Sequence, residues 1–487
     1  MTADLKPYPE MKDSGVNWLG DVPEHWRIRP GRAVLRTKLI RNEGLRESRV
    51  LSLSYGRIIV KPEEKLRGLV PESFETYQIV DPGDIIIRST DLQNDRTSLR
   101  VGHVRDRGII TSAYMCLRPT GELANEYGYQ FLNTYDLSKV LYGYGSGLRQ
   151  NLSWADFKYM PIVIPSGDEQ TAIVRFIDYI DRRIRRYIRA KRKLIKLLEE
   201  QKQAIIHQAV TGQIDVRTGK PYPAYKPSGI EWLGEVPEHW NLLPLGSVLQ
   251  QRKEKNDPIK TTDILSLSLH RGVIPYSEKK TGGNKAKGDL SAYMLAYPGD
   301  IVVNSMNVVV GSVGLSNYFG AVSPVYYMLR PRKDSDLVEY FNAVFQDAEL
   351  QRSLFGLGNG IMYIESKSTG KLNTVRLRIP MTRLRKVAFP CPAPIEQANI
   401  VKYLDQAAGA IDTAATRTTH EIELLSEYRT RLIADVVTGK LDVREAAASL
   451  PDEPEDPESN DGLDEMLEIE MDQVTDQDDH DQEHDDD

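Results

Sequence analysis

Residues 14–26 read SGVNWLGDVPEHW and residues 228–240 read SGIEWLGEVPEHW, an offset of 214. Chance does not give a 13-residue match with two Trp in each copy, so the chain is a tandem repeat. Working outward, Leu51-Ser52-Leu53-Ser54 returns as Leu265-Ser266-Leu267-Ser268 at the same offset, and Pro82-Gly83-Asp84-Ile85 as Pro298-Gly299-Asp300-Ile301 at 216. Glu169-Gln170 returns as Glu396-Gln397, and Val210-Thr211-Gly212 as Val437-Thr438-Gly439, both at 227. These last pairs share one offset, so the segment between them has one length in both copies. The drift falls in the segments before them. Two fixed-length elements alternate with two divergent ones.

The fixed element reads as a long helix. From Glu169 to Thr211, apolar residues fall at Ile173, Ile177, Ile180, Ile184, Tyr187, Leu194, Leu198 and Ile205, spacings that make a coiled-coil-like seam. Lys191 and Gln201 interrupt it, and Gly212 stands where a C-terminal cap belongs. At 1.5 Å per residue such a helix is ~65 Å long. The second copy, Glu396 to Thr438, carries Ile400, Leu404, Ile411, Leu425 and Leu432 and stops at Gly439. Each seam is too narrow to stand alone, and the other copy is the economical partner. Charge agrees: residues 182–202 carry a net +8 and residues 409–429 a net −2. The divergent elements, about 27–160 and 241–390, read as mixed α and β, with strands in IVDPGDIIIRS, GIITSAYMCLRP and YMPIVIP and again in YPGDIVVNS, AVSPVYYMLRP and VAFPCP. Helices are expected over Glu126–Leu137 and Leu337–Leu354.

The expected fold is α/β: two mixed α/β domains joined by two long paired helices, as a pseudo-twofold tandem repeat. Its expected segments are 1–160, 161–226, 227–390, 391–445 and an acidic disordered tail over 446–487. Residues 451–487 hold 19 Asp plus Glu and no Lys or Arg, a composition that cannot offset its ordering entropy. Within the overall net charge of −7, residues 1–450 therefore carry +12, which points to a polyanionic partner. At 40% hydrophobic and 27% charged, the 487 residues are no wholly disordered or collagen-like chain. The two cysteines, Cys116 and Cys391, can build neither a disulfide framework nor a Cys-rich zinc site. The N-terminus has no apolar signal region and no window matches a membrane span, so the expectation is a soluble, cytoplasmic protein.

An enzyme reading must find its groups. No HExxH, GxSxG, Walker A or (N/D)PP(Y/F) string occurs. His25 and His239, in the repeated PEHW, are expected to neighbour a packed Trp rather than to catalyse. Glu278-Lys279-Lys280 has the ExK form of a nuclease site, but the first copy lacks it. Glycine clusters, Gly143-x-Gly145-x-Gly147 and Gly356-x-Gly358-x-Gly360, suit either a turn or a backbone approaching phosphates. The residue types of base and phosphate contact gather after each PGDI strand and around these clusters. They are Arg88, Asn94, Arg96, Arg100, Arg149 and Gln150 in the first copy, and Asn304, Ser305, Asn307, Lys367, Lys371 and Arg376 in the second.

WLGDVPEHW and WLGEVPEHW, the run SGLRQNLSWADFKYMPIVIPSGDEQTAIVRFID, and the endings AVTGQIDVR and VVTGKLDVR resemble the DNA specificity subunit of type I restriction–modification systems. The resemblance spans about residues 1–445. It implies two target recognition domains, each reading half of a split site in double-stranded DNA, and no catalysis by the chain itself. The joining helices would act as a ruler and dock two methyltransferase (modification) subunits, with restriction/motor subunits added for cleavage. S-adenosylmethionine, ATP and Mg would then belong to the partner subunits and no cofactor to this chain. The acidic tail departs from that pattern. The rival readings are an adaptor that binds protein alone and a single-chain nuclease.

Overall fold

The computed structural model describes residues 5–54, 56–61, 73–90, 92, 99–143, 151–268, 271–279, 289–359 and 378–451, and the backbone of 364–365 and 372–373. They form two units: the described residues up to Lys191 together with those from His420 onward, and those within Arg192–Thr419.

The first unit is built on a four-stranded antiparallel sheet. Its strands are β1 (Leu35–Thr37), β2 (Ile85–Ile87), β3 (Val101–His103) and β4 (Met115–Pro119), in the order β1-β4-β2-β3. All three residues of β2 are buried, because both faces of this strand are covered. Ile85 and Ile87 share a core with Tyr127, Phe131, Leu132 and Tyr135 of α1 (Asn125–Leu137). Ile86, pointing the other way, joins Leu51, Val80, Val104, Ile110 and Cys116. The turn before β2 needs its glycine, since Gly83 has φ +89°. α2 (Gly167–Thr211) begins in this unit.

The second unit repeats the plan. β5 (Leu249–Arg252), β6 (Ile301–Asn304), β7 (Val313–Leu315) and β8 (Tyr326–Pro331) run in the order β5-β8-β6-β7. Ile301 and Val303 pack with Tyr340, Phe341, Val344 and Phe345 of α3 (Val338–Phe345). Val302 faces Leu265, Val273, Ala296 and Val322. The helix expected over Leu337–Leu354 is in fact two, because the Asp347 carboxylate accepts from Leu350 N at 2.8 Å and starts α4 (Ala348–Ser353) afresh. α5 (Pro394–Val437) closes the set.

The two long helices lie within two residues of their expected limits and stop at Gly212 (φ +75°) and Gly439 (φ +79°). Inside each unit they run antiparallel. In the first unit Asp181 pairs with Arg429 and Lys191 with Glu421. Ile173 and Ile177 there share a core with Leu432, Ile433 and Val436. In the second, Lys202 pairs with Asp412 at 2.7 Å, and Ile206 and Val210 pack with Ile400 and Leu404. The seam differs from the expected one in two places: Tyr187 is 54% and Leu194 44% exposed, while Ile188 and Ile206 are buried. A straight helix of 3.6 residues per turn drifts from a 3.5-residue repeat, so the buried edge moves on by one position. The disorder expected of the tail concerns residues beyond Pro451, outside the described ones.

Candidate nucleic-acid interface

At the end of each central strand the backbone makes matching hydrogen bonds. Arg88 N donates to Arg100 O at 2.8 Å, and Asn304 N to Ser312 O at 3.0 Å. One residue on, Ser89 O accepts from Leu152 N and Ser305 O from Ile379 N, both at 2.8 Å. Leu152 and Ile379 follow the glycine-cluster segments. The loop after the central strand and the downstream flank of the glycine cluster therefore meet at one end of each sheet.

The structure places the candidates differently from one another. Arg88 and Asn307 are half-buried at that end. Arg100 is wholly buried: its guanidinium donates to Arg88 O (3.2 Å), Thr90 O (2.7 Å) and the Tyr142 hydroxyl (3.1 Å). Its backbone N–H donates to Asp136, whose carboxyl is pushed upward by burial. Arg100 thus ties two loop segments together rather than facing solvent. Asn304 and Ser305 are buried too; Asn304 Oδ1 accepts from Met306 N (3.0 Å) and Ser305 Oγ donates to Val325 O (2.7 Å). Asn94, Arg96, Arg149, Gln150, Lys367, Lys371 and Arg376 lie outside the described residues.

The repeated motifs prove to be the brackets of this end and of the helices. The Asp of each Pro-Gly-Asp is buried and paired: Asp84 with Lys38 (2.6 Å) and Arg118 (2.6 Å), Asp300 with Arg252 (3.0 Å). Lys38 also reaches Asp81, and this bond first of all holds the Asp81 carboxyl below its ordinary value. Glu169 accepts from His25 Nε2 (2.8 Å) and Trp26 Nε1 (3.3 Å). Burial works against its charge, yet the bonds from His25, Trp26 and Ser166 outweigh it and keep the carboxyl low. In the second unit Glu396 meets His239 at 3.0 Å, and the Tyr222 hydroxyl donates to it at 2.5 Å. The neighbouring Gln170 and Gln397 accept from Ala124 N and Leu337 N, fixing the starts of α1 and α3. Glu278, of the ExK string, pairs with Arg271 at the surface.

Two clefts, both in the second unit, were not legible in the sequence, because their walls come from distant segments. Arg252, Arg330, Arg332 and Lys333 on one hand, and Asp300, Asp334, Asp336 and Glu339 on the other, line a polar cleft of about 570 Å³ whose charges balance. A larger one of about 1290 Å³ is lined by Trp232, by Lys196, Arg352 and Lys386, by Glu199, Glu200, Glu231 and Glu349, and by the His207–Asp347 pair (2.8 Å). Among the described residues, no group of three or more His, Cys, Asp or Glu is placed to hold a metal ion, and no helix is long and apolar enough to cross a membrane.

No protein-family model and no curated protein matches the chain in sequence. Solved structures do match in fold. A chain from a study of complex assembly and conformational transition of the type I R-M system is 17% identical, with a TM-score of 0.58, over 86% of this chain and 99% of that one. An HsdS subunit from Thermoanaerobacter tengcongensis is 16% identical with a TM-score of 0.43, over 86% of this chain and 98% of that one. A type I restriction–modification S subunit from M. genitalium is 12% identical with a TM-score of 0.33, over 88% and 98%. The likeness of fold rests on the first.

Proposed function

We propose that this chain is the DNA specificity subunit of a type I restriction–modification complex. Each α/β unit reads one half of a bipartite site in double-stranded DNA, and the long helices set the spacer and dock the methyltransferase subunits. The observation that carries this reading is the matched end of the two sheets. There the same bonds, Arg88 N to Arg100 O and Asn304 N to Ser312 O, support loops that differ in sequence. One scaffold holding two different loops is what two readers of two different half-sites require. The fold shared with a chain of a type I system and the +12 charge of residues 1–450 support it further. Exposed Leu197 in the second unit, and Leu424 and Tyr428 in the first, give the helices apolar surface for docked subunits. In this reading the chain carries no catalysis of its own, works in the cytoplasm, and leaves S-adenosylmethionine, ATP and Mg to the modification and restriction subunits.

Methylation sequencing of cells expressing the chain with its methyltransferase partner tests it. A split motif methylated only when this chain is present is expected. Methylation that is unchanged without the chain, with a complex that binds no DNA, would leave the adaptor reading in its place.

A further inference from the structure

The two units build one corner differently. In the first, Trp18 packs against Tyr135 and Phe131, with ring centres 4.5 and 6.5 Å apart. The Tyr135 hydroxyl donates to Pro161 O at 2.5 Å. That carbonyl has no donor across the strand pair, since Pro30 stands opposite Pro161 and proline carries no N–H.

The repeat says what the second unit puts there. Ala124 N and Leu337 N both donate to the repeated Gln, and the Tyr127 and Tyr340 hydroxyls both donate to the following strand, at Val163 O and Pro390 O. These pairs fix an offset of 213 between α1 and α3. Counting on, Val344 stands for Phe131 and Ala348 for Tyr135, while Trp232 stands for Trp18 and Ala388 for Pro161. Both partner rings are therefore missing, and what they touched is still present. Trp232, Ala348 and Ala388 all line the larger cleft of about 1290 Å³. Pro244 stands opposite Ala388, so this carbonyl too has no N–H across the strand pair. Among the described residues no aromatic ring packs on Trp232 and no side chain donates to Ala388 O.

We infer that this cleft takes a tyrosine side chain from a partner polypeptide, with its ring on Trp232 and its hydroxyl on Ala388 O. The occupant is read from the first unit, where a tyrosine side chain makes those two contacts with Trp18 and Pro161 O. A free ring would be too small for the space. At about 1290 Å³ the cleft exceeds the roughly 300–1,000 Å³ that hold a drug-sized ligand, so main chain fits on either side of the ring. Arg352 is paired with Glu349 and His207 with Asp347, which leaves Glu199, Glu200 and Glu231 on the walls against Lys196 and Lys386. Basic residues beside the tyrosine suit that balance. The inference goes beyond the specificity reading and does not need it.

The test uses the full-length chain without DNA. Its probes are acetyl-Lys-Tyr-Lys-amide, the same peptide with Phe or Ala at the centre, and p-cresol as the free ring. Saturation-transfer NMR titrations give the affinities. The Tyr peptide should bind, the Phe peptide about fivefold more weakly for want of the hydrogen bond, and the Ala peptide not measurably. p-Cresol, without the lysines, should bind about tenfold more weakly than the Tyr peptide. Ala348→Tyr fills the space from within, so it should abolish peptide binding and keep the melting temperature at or above that of the wild type. Equal binding of the Tyr and Ala peptides would overturn the inference, since charge alone would then suffice. p-Cresol binding as tightly as the Tyr peptide would overturn it in favour of a free phenol. Binding that survives Ala348→Tyr, or a lowered melting temperature in that variant, would mean that the space is not shaped for tyrosine. No binding of the Tyr peptide would overturn it as well. With no DNA present, none of these outcomes bears on the methylated motif, and loss of that motif would leave the cleft result standing.

Discussion

At Asp347 one carboxylate does two things: it caps α4 and holds His207 at 2.8 Å. The bond to Asp347 raises His207 above its ordinary 6.5, against the opposing effect of burial. A raised histidine adds stability that is complete below the unfolded value and is lost as pH climbs through the folded one. The melting temperature of the wild type should therefore fall between about pH 6.5 and its folded value relative to His207→Gln, which lacks the titrating group. Parallel profiles would mean the pair contributes nothing. The two thiols behave more simply. Burial pushes Cys116 and Cys391 up to about 12, so the native chain should resist alkylation near pH ~8 and take up label at both only when unfolded. Arg100 marks how far the sequence can be read at this scale. Its place in a polar run suits a surface contact, whereas its partners Arg88, Thr90 and Tyr142 become visible only once β2 and β3 are paired.

Among the elements, the long helices were the most legible, because a repeated length and a repeated Gly mark both ends. Their inner edge was less so: a heptad count places Tyr187 and Leu194 inside, and the helix turns them out. The break at Asp347 was missed because α3 and α4 together keep a continuous apolar pattern. The helix ends themselves are tight. A Cβ on Gly212 would stand 2.4 Å from Pro237 Cδ, and one on Gly439 2.4 Å from Pro23 Cδ, both at positive φ. Gly212→Ala or Gly439→Ala should each cost about 1–3 kcal/mol from the backbone conformation alone, and more from the clash. Gly219 has φ +70° with nothing near its missing Cβ. Gly219→Ala therefore isolates the backbone part, and denaturant unfolding should rank it as the mildest of the three.

For the whole molecule, the proposed division of labour makes two predictions. Exchanging residues 27–157 for the matching segment of a relative should change one half of the methylated motif and keep the other half and the spacer. A change in both halves at once would sink the two-reader model. Affinity of the assembled complex for its site should fall steeply with salt, since basic residues neutralise phosphates. A flat plot of log affinity against log salt would assign the +12 charge of residues 1–450 to something else. At this scale the repeat was legible from the first matched motif. The identity of the reading residues was not, because the loops that would carry them are the parts in which the two copies differ.

Within the first unit, described residues from early and late in the sequence meet. Lys6 bridges Asp442, the Arg444 guanidinium lies 5.0 Å from the centre of the Tyr8 ring, and the buried Tyr127 hydroxyl donates to Val437 O. The described residues of the second unit, by contrast, all come from one stretch, Arg192–Thr419. On the ribosome the order of completion is therefore the reverse of the order of synthesis. Residues up to Lys191 emerge first but must wait, with part of their apolar surface uncovered, until the last turns of α5 arrive. The run that follows can close on its own in the meantime. A stalled or shortened product that ends before about residue 430 would carry a finished second half and an unfinished first, and its weak point to proteases would lie near its beginning, far from the cut.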